Sequence, residues 1–378
     1  MMYDIITFGS ATRDIFLKSK TFKIVGEKKF ITGKGLCLSL GSKIEVKDIA
    51  FSTGGGGTNT AATFSKQGFK VAYCGMIGVD EAGEEVIKEL KKFGIDTQFV
   101  FRTKKKPTNY SVILSSDGRD YNPPTTRQKQ VMDRTILVYR GASGELTKKE
   151  IPWPKLSAFT KGYGGSSIAL GGGGKARWFY IAPLSGKLCG ISENLVNFAY
   201  KNKIKITMNP GHCQLSLPRK TLERILKKVD ILILNQEEAS LLTKIPYQKE
   251  VEIFKKIDKL CPGIAIMTKG PGGVVVSDGK YLYRASPPKS KVVDRTGAGD
   301  SFASGFVSGY IQSKGNIIYA IQLGMANSSA CLQKLGAKNG LLEKGQKFKK
   351  VKVQKEFCSK NNFCLTKSVN NFYDRRKH

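Results

Sequence analysis

Short apolar runs alternating with helix-period segments constrain this 378-residue chain more than any other feature. The runs fall at 5–8, 71–74, 178–181, 204–208, 231–234, 264–268 and 274–277. Their length and makeup suit strands buried on both faces. Between them, 59–67, 83–93, 193–201, 222–228, 236–242, 250–260, 301–313 and 317–335 carry helical patterning. Alternation of this kind predicts an α/β fold with a largely parallel sheet.

Two regions break the rhythm. Residues 15–52 and 98–141 hold alternating, Lys-rich, strand-like segments with few helix signals, which predicts a small β-structured lid beside the core. The stretch 161–175 is dominated by glycine but lacks the G-x-x-x-x-G-K-[ST] pattern, because Lys175 is followed by Ala176 and Arg177. It reads as a surface insertion. The expected division is one large domain over 1–345 and a basic, Asn-rich appendage over 346–378, either docked or loose.

No stretch approaches the ~20 apolar residues that a membrane span needs, and the first residues show no secretory pattern. The eight cysteines are scattered and form no C-x-x-C pair, while His212 and His378 are the only histidines. A Cys/His zinc cluster is therefore not expected, and free thiols in a cytoplasmic protein are. The formal net charge of +33 raises the prospect of a nucleic-acid partner. Its dispersion over the whole chain instead favours a lysine-rich surface, with nucleic acid not the primary partner.

Four segments could carry chemistry. In Val293-Asp294-Arg295-Thr296-Gly297-Ala298-Gly299-Asp300-Ser301, the glycines let successive amides point at one spot at a helix N-terminus. Such a turn binds anions. An aspartate there makes sense as the base for an attacking hydroxyl while the amides hold phosphoryl charge; a plain N-cap is the simpler role. In Thr53-Gly54-Gly55-Gly56-Gly57-Thr58-Asn59, a close-approach backbone precedes an amide able to donate and accept, which suits a polyhydroxyl ligand. Asn235-Gln236-Glu237-Glu238 lies where a strand gives way to a helix, a position from which carboxylates can reach Mg²⁺. Thr268-Lys269-Gly270-Pro271-Gly272-Gly273 is a turn between two strands that could line a nucleotide.

In this order and spacing the set resembles the ribokinase-like (PfkB-type) carbohydrate kinase family, from residue 3 to about residue 342. Gly54 to Asn59 with Gly75-Met76-Ile77-Gly78-Val79-Asp80-Glu81-Ala82-Gly83 is similar to the family's N-terminal signature, and Asp294 to Phe302 to its C-terminal one. The resemblance implies a three-layer α/β/α sandwich with a mainly parallel sheet and a β-lid. It implies an ATP- and Mg²⁺-dependent kinase acting on a sugar or, as the alternative, a nucleoside. Asp300 would be the base, with the amides of Gly297, Ala298 and Gly299 as anion hole. Asp14, Gly55, Gly56 and Asn59 would bind the acceptor. Asn235, Thr268, Gly270, Gly273 and Asn327 would line ATP, and Glu238 would organise Mg²⁺, through water. Family members that bind a monovalent cation do so near the matches of Asp294 and Thr296, which makes K⁺ a candidate. The lid often forms a dimer interface in the family, implying a homodimer. Two departures stand out: Arg295 where the family usually has Thr, and Gly56 where ribokinases proper carry Lys. A binding or regulatory protein on the same fold is the reading of another class.

Overall fold

The computed structural model describes residues 2–26, 34–116, 134–156 and 176–357. The Gly-rich stretch 161–175, parts of the expected lid and residues 358–378 lie outside them. Ten described strands form the main sheet. In spatial order they are Val353–Phe357, Tyr281–Ala285, Val274–Ser277, Ile264–Thr268, Ile231–Asn235, Lys205–Met208, Ala176–Ile181, Tyr3–Phe8, Val71–Gly78 and Val100–Thr103. The seven from Ile264–Thr268 to Val100–Thr103 pair in parallel, and the other three add antiparallel at one edge.

Side chains that alternate along each strand divide the core in two. Ile6, Phe8, Phe179, Ile181, Ile206 and Leu232 pack on one face, against Leu195, Ile225 and Phe254. Ile5, Tyr73, Tyr180, Ile231 and Ile233 pack on the other, against Phe64, Val86, Phe302, Phe306 and Ile321. Helices Ser192–Lys201, Arg219–Leu226 and Glu250–Leu260 thus cover the first face. Helices Gly56–Lys66, Glu81–Lys92, Ala298–Gln312 and Ile317–Cys331 cover the second. This is the α/β fold with a largely parallel sheet that the alternation predicts, arranged as the three-layer sandwich that the resemblance implies.

The lid is a separate sheet of Asp48–Gly54, Thr12–Ser19, Asn109–Ser116 and Arg134–Tyr139, in that order. Within 98–141, Val100–Thr103 goes elsewhere, pairing with Gly75–Gly78 to extend the main sheet. The appendage is docked over Val353–Phe357, which pairs with Tyr281–Ala285.

The cysteine expectation needs correction. Cys189 and Cys213, 24 residues apart, form a disulfide, while Cys37, Cys74, Cys261 and Cys331 are free. Neighbouring parallel strands Ala176–Ile181 and Lys205–Met208 deliver the two following segments side by side, a juxtaposition that sequence spacing cannot show. Closing a loop of this length stabilises by about 3 kcal/mol. Dithiothreitol, or Cys189→Ser, should therefore lower the melting temperature by several degrees. A thiol titration of unfolded, unreduced protein that counts every cysteine as free rules the bond out.

Candidate active site

Helix Ala298–Gln312 opens on Gly297, whose φ of 76° is left-handed. A Cβ there would stand 2.4 Å from the Cβ of Ala337, so both conformation and space require glycine. Gly299 is different: a Cβ on it would meet nothing within 4 Å. The turn therefore presents its backbone to open space, at a helix end whose first amides attract anions. The Ala298 N–H makes only a long 3.3 Å bond, to the Arg295 carbonyl.

Asp300 sits in the first turn of this helix, half-buried. The Asn59 side-chain amide donates to its Oδ2 at 2.8 Å. Burial pushes the Asp300 carboxyl above its ordinary value, while the Asn59 bond and the charge of Lys338 pull it down. Asn59 is itself buried, and its Oδ1 has no partner, so one acceptor is left over beside the carboxylate. The sequence places Asn59 at the start of its helix, but the helix begins earlier, at Gly56. Packing overrides the poor helix propensity of glycine, because a Cβ on Gly57 would meet the Tyr73 ring at 2.6 Å. Gly55 has φ 100°, and a Cβ there would lie 2.4 Å from the Ser10 carbonyl oxygen. A Cβ on Gly56 would lie 3.2 Å from that of Ala182 and 3.7 Å from Asp300 Oδ1. The glycine run is thus a wall of the site rather than a linker.

Asp14, at the root of the lid, is 4% exposed. Its carboxylate lies against Gly54, where a Cβ would come within 2.0 Å of Oδ2. Burial raises its pKa; Lys338 and bonds from Ser111 and Thr12 lower it, and Asp294 raises it.

At the neighbouring strand ends, Asn235 and Glu238 form a reciprocal cap on helix Gln236–Thr243. Asn235 Oδ1 accepts from the Glu238 amide and Glu238 Oε2 from the Asn235 amide, each at 2.8 Å. Burial pushes Glu238 up, the Asn235 bond pulls it down, and the charges of Glu237 and Asp300 push it up again. Asn235, Thr268 and Gly270 line one cavity of about 450 Å³, together with Gln236, Glu237, Tyr247 and Lys269. Gly273 closes the turn with φ 90°, tight against the Ala285 carbonyl. A larger cavity of about 580 Å³ is lined by Lys66, Lys92, Lys338 and Lys344 among others, and by none of the residues 297–300.

Two expected residues are occupied elsewhere. Asn327 is fully buried; its Nδ2 donates to Ser301 O at 2.7 Å and its Oδ1 accepts from the Leu342 amide at 2.9 Å. It ties helices together and is absent from the cavity lining. Asp294 Oδ1 accepts from the Thr296 amide and hydroxyl at 2.9 and 2.8 Å, and Oδ2 from the Gly336 amide at 2.9 Å. A cation would have to share those oxygens. Arg295 is half-buried on the same turn.

The sequence reading missed Tyr180, Tyr247 and Lys338. Tyr180 hides in a buried strand, yet its hydroxyl has no partner and feels the charges of Asp300 and Glu238. Tyr247 follows a proline in an unremarkable loop, and Lys338 is one lysine among many.

Residues 19–344 match the family model described as pfkB family carbohydrate kinase. The chain belongs to the pfkB family of carbohydrate kinases. This pfkB-family kinase is 25% identical over 281 residues to an uncharacterised sugar kinase of Archaeoglobus fulgidus, covering 73% of the chain and 97% of the relative. It is 26% identical over 305 residues to a ribokinase of Lactococcus lactis, covering 80% of the chain and 86% of the relative. The structure of Arabidopsis thaliana ribokinase complexed with ribose and ATP shares its fold, with a TM-score of 0.66 and 19% identity over 91% of the chain and 96% of that structure. The kinase's ribokinase-like fold is thereby established.

Proposed function

We propose that the chain transfers the terminal phosphoryl group of ATP to a hydroxyl of a sugar, with Asp300 as general base. The observation that carries this reading is the Asn59–Asp300 bond of 2.8 Å. It fixes the half-buried Asp300 carboxylate in the first turn of the helix that follows the glycine turn, beside the buried Asn59 Oδ1, which has no partner. The acceptor O–H gives its proton to Asp300 as the new O–P bond forms and the bond from the phosphorus to ADP breaks. The amides of Gly297, Ala298 and Gly299 hold the charge spread over the transferred group. Asp14, Gly55 and Gly56 position the acceptor. Asn235, Thr268, Gly270 and Gly273 form the nucleotide side of the site.

Among the described residues no group of three His, Cys, Asp or Glu could cage a metal. An ion carried mainly on the phosphates fits the raised Glu238, whose like-charged neighbours a cation would relieve. Mg²⁺ so placed would neutralise charge on the phosphates. A K⁺ at Asp294 and Thr296 would share carboxylate oxygens that already accept from Thr296 and Gly336.

A nucleoside acceptor is the second reading. It is favoured by Gly56 and Ala182, which put no charged side chain at the edge of the site where ribokinases proper carry Lys. Coupled ADP release from purified protein with sugars, nucleosides and sugar phosphates decides between them. No release with any acceptor, alongside salt-sensitive nucleic-acid binding, would overturn both.

Because Asp300 must be ionised to accept a proton and burial raises its pKa, turnover should fall with decreasing pH above the ordinary carboxylate range. A kcat profile flat down to pH ~4 contradicts that assignment.

We also propose that a second copy of the chain covers the lid. Strand register puts Ile49, Phe51, Leu137 and Tyr139 on one face with Ile15, Leu17 and Val112. The first four are 47–60% exposed, far more than a monomer needs to show on one small sheet. Sedimentation should give a dimer, and Phe51→Asp with Leu137→Asp a folded monomer. A monomeric wild-type protein at micromolar concentration ends the proposal.

A further inference from the structure

Lys338 lies beyond the last long helix, in Leu335-Gly336-Ala337-Lys338-Asn339, and is 5% exposed. A lysine ammonium has three protons to satisfy, and all three find acceptors. They are Thr53 O at 3.0 Å, Thr53 Oγ1 at 2.6 Å and Glu89 Oε2 at 2.6 Å. The Thr53 hydroxyl in turn donates to Glu89. One ammonium therefore joins three separate parts of the fold: the segment after helix Ile317–Cys331, the last turn of helix Glu81–Lys92, and strand Asp48–Gly54 where the lid meets the glycine wall.

The next residues carry the connection into the site. Gly54 follows Thr53 and holds the Asp14 carboxylate against its backbone, and Gly56 lies beside Asp300 Oδ1. Asp14 and Asp300 thus flank the stretch of backbone that Lys338 grips. Arg13, the cation next to Asp14 in sequence, is paired with Glu85 and stacked over Phe51 at 5.1 Å. Burying a lysine costs several kcal/mol unless it is paired. A purely structural clamp could use a neutral donor, whereas here the charge also acts on both carboxylates.

We infer that Lys338 is a positioning residue of the transfer reaction, fixing the lid root to the catalytic floor and supplying the positive charge that Asp14 and Asp300 face. The inference rests on the proposed role of Asp300. Other groups bear on Asp300 from the surrounding elements. Asn59 donates from its helix; Glu238, in the first turn of its helix, and Tyr180, near the end of its strand, respond to its charge, and so does the Cys331 thiol from the last long helix. Asp14 and Asp294 add negative charge nearby, and Arg295 lies on the same turn.

The test is the kcat–pH profile of Lys338→Met at saturating ATP and acceptor. The acid limb should move to higher pH, so that turnover at its foot falls about tenfold more than on the plateau. A lone Glu89 charge could unfold that variant, so Lys338→Met with Glu89→Gln is measured beside it. The limb should move the same way there, since Lys338 and not Glu89 is the charge felt at Asp300. A merely structural lysine would lower the plateau without moving the limb. The Asp300 carboxylate resonance of 13C-aspartate-labelled protein, assigned by its loss in Asp300→Asn, should titrate upward in both variants. Limbs and resonances that overlay wild type overturn the inference. Failure of the base assignment reads differently: Asp300→Asn then keeps its turnover, while the carboxylate still answers to Lys338.

Discussion

Asp300→Asn should lower turnover about 100- to 10,000-fold, the range that a general base contributes, while ATP binds with near wild-type affinity. The substituted amide has the shape of the carboxylate and can still bond Asn59, which holds Oδ2 at 2.8 Å in the native protein. It cannot take a proton. The anion-binding amides belong to the backbone and stay in place, so the loss should fall on kcat and leave nucleotide binding alone. ADP release with the acceptor found by screening, paired with calorimetry of ATP binding, separates the two. A variant that keeps most of its turnover rules out Asp300 as base, and one that loses ATP instead assigns it to the nucleotide.

A second large effect is expected from two alanines placed two residues apart. Gly297→Ala forces a side chain into a φ of 76° and drives its methyl to 2.4 Å from Ala337. Strain plus overlap should cost about 2–4 kcal/mol, visible as a lower melting temperature, and should deform the turn so that turnover falls with it. Gly299→Ala meets no atom within 4 Å in the protein, so it should melt within a degree or two of wild type. If the transferred phosphoryl group occupies that open space, its turnover should nonetheless drop at least tenfold. Equal melting temperatures for the two variants would refute the steric account of Gly297. Full activity in folded Gly299→Ala would refute the anion hole.

What the sequence made legible has a physical pattern. Period and run length gave the buried parallel strands and the helices around them, because burial on both faces leaves little choice of residue. Glycines next to Asp300 and Asn59 marked the candidate site, and most of them stand where a Cβ would overlap the protein itself. Contacts set by tertiary placement were not legible. Nothing in the spacing of Cys189 and Cys213 shows that parallel neighbours bring them together. The resemblance put Asn327 near the adenine, and only the folded chain shows its amide bonded to Ser301 O and the Leu342 amide. Lys338 is hidden by composition, for a chain with a net charge of +33 offers no reason to single out one lysine. The signal that could have found it is its setting, a long charged side chain within a Gly-Ala segment flanked by leucines.

The docked strand Val353–Phe357 has a practical consequence for anyone shortening this protein. Tyr281–Ala285 would be the outermost strand without it, with Tyr281, Leu282 and Tyr283 on a bare row of hydrogen-bonding groups. Edges of that kind recruit other chains. Lys355, 3.9 Å from the Tyr281 ring centre, leaves a cation over that ring. A chain cut after residue 345 would keep every proposed site residue and still be the form most prone to precipitate. Removal of the residues past 357 should leave this protection in place.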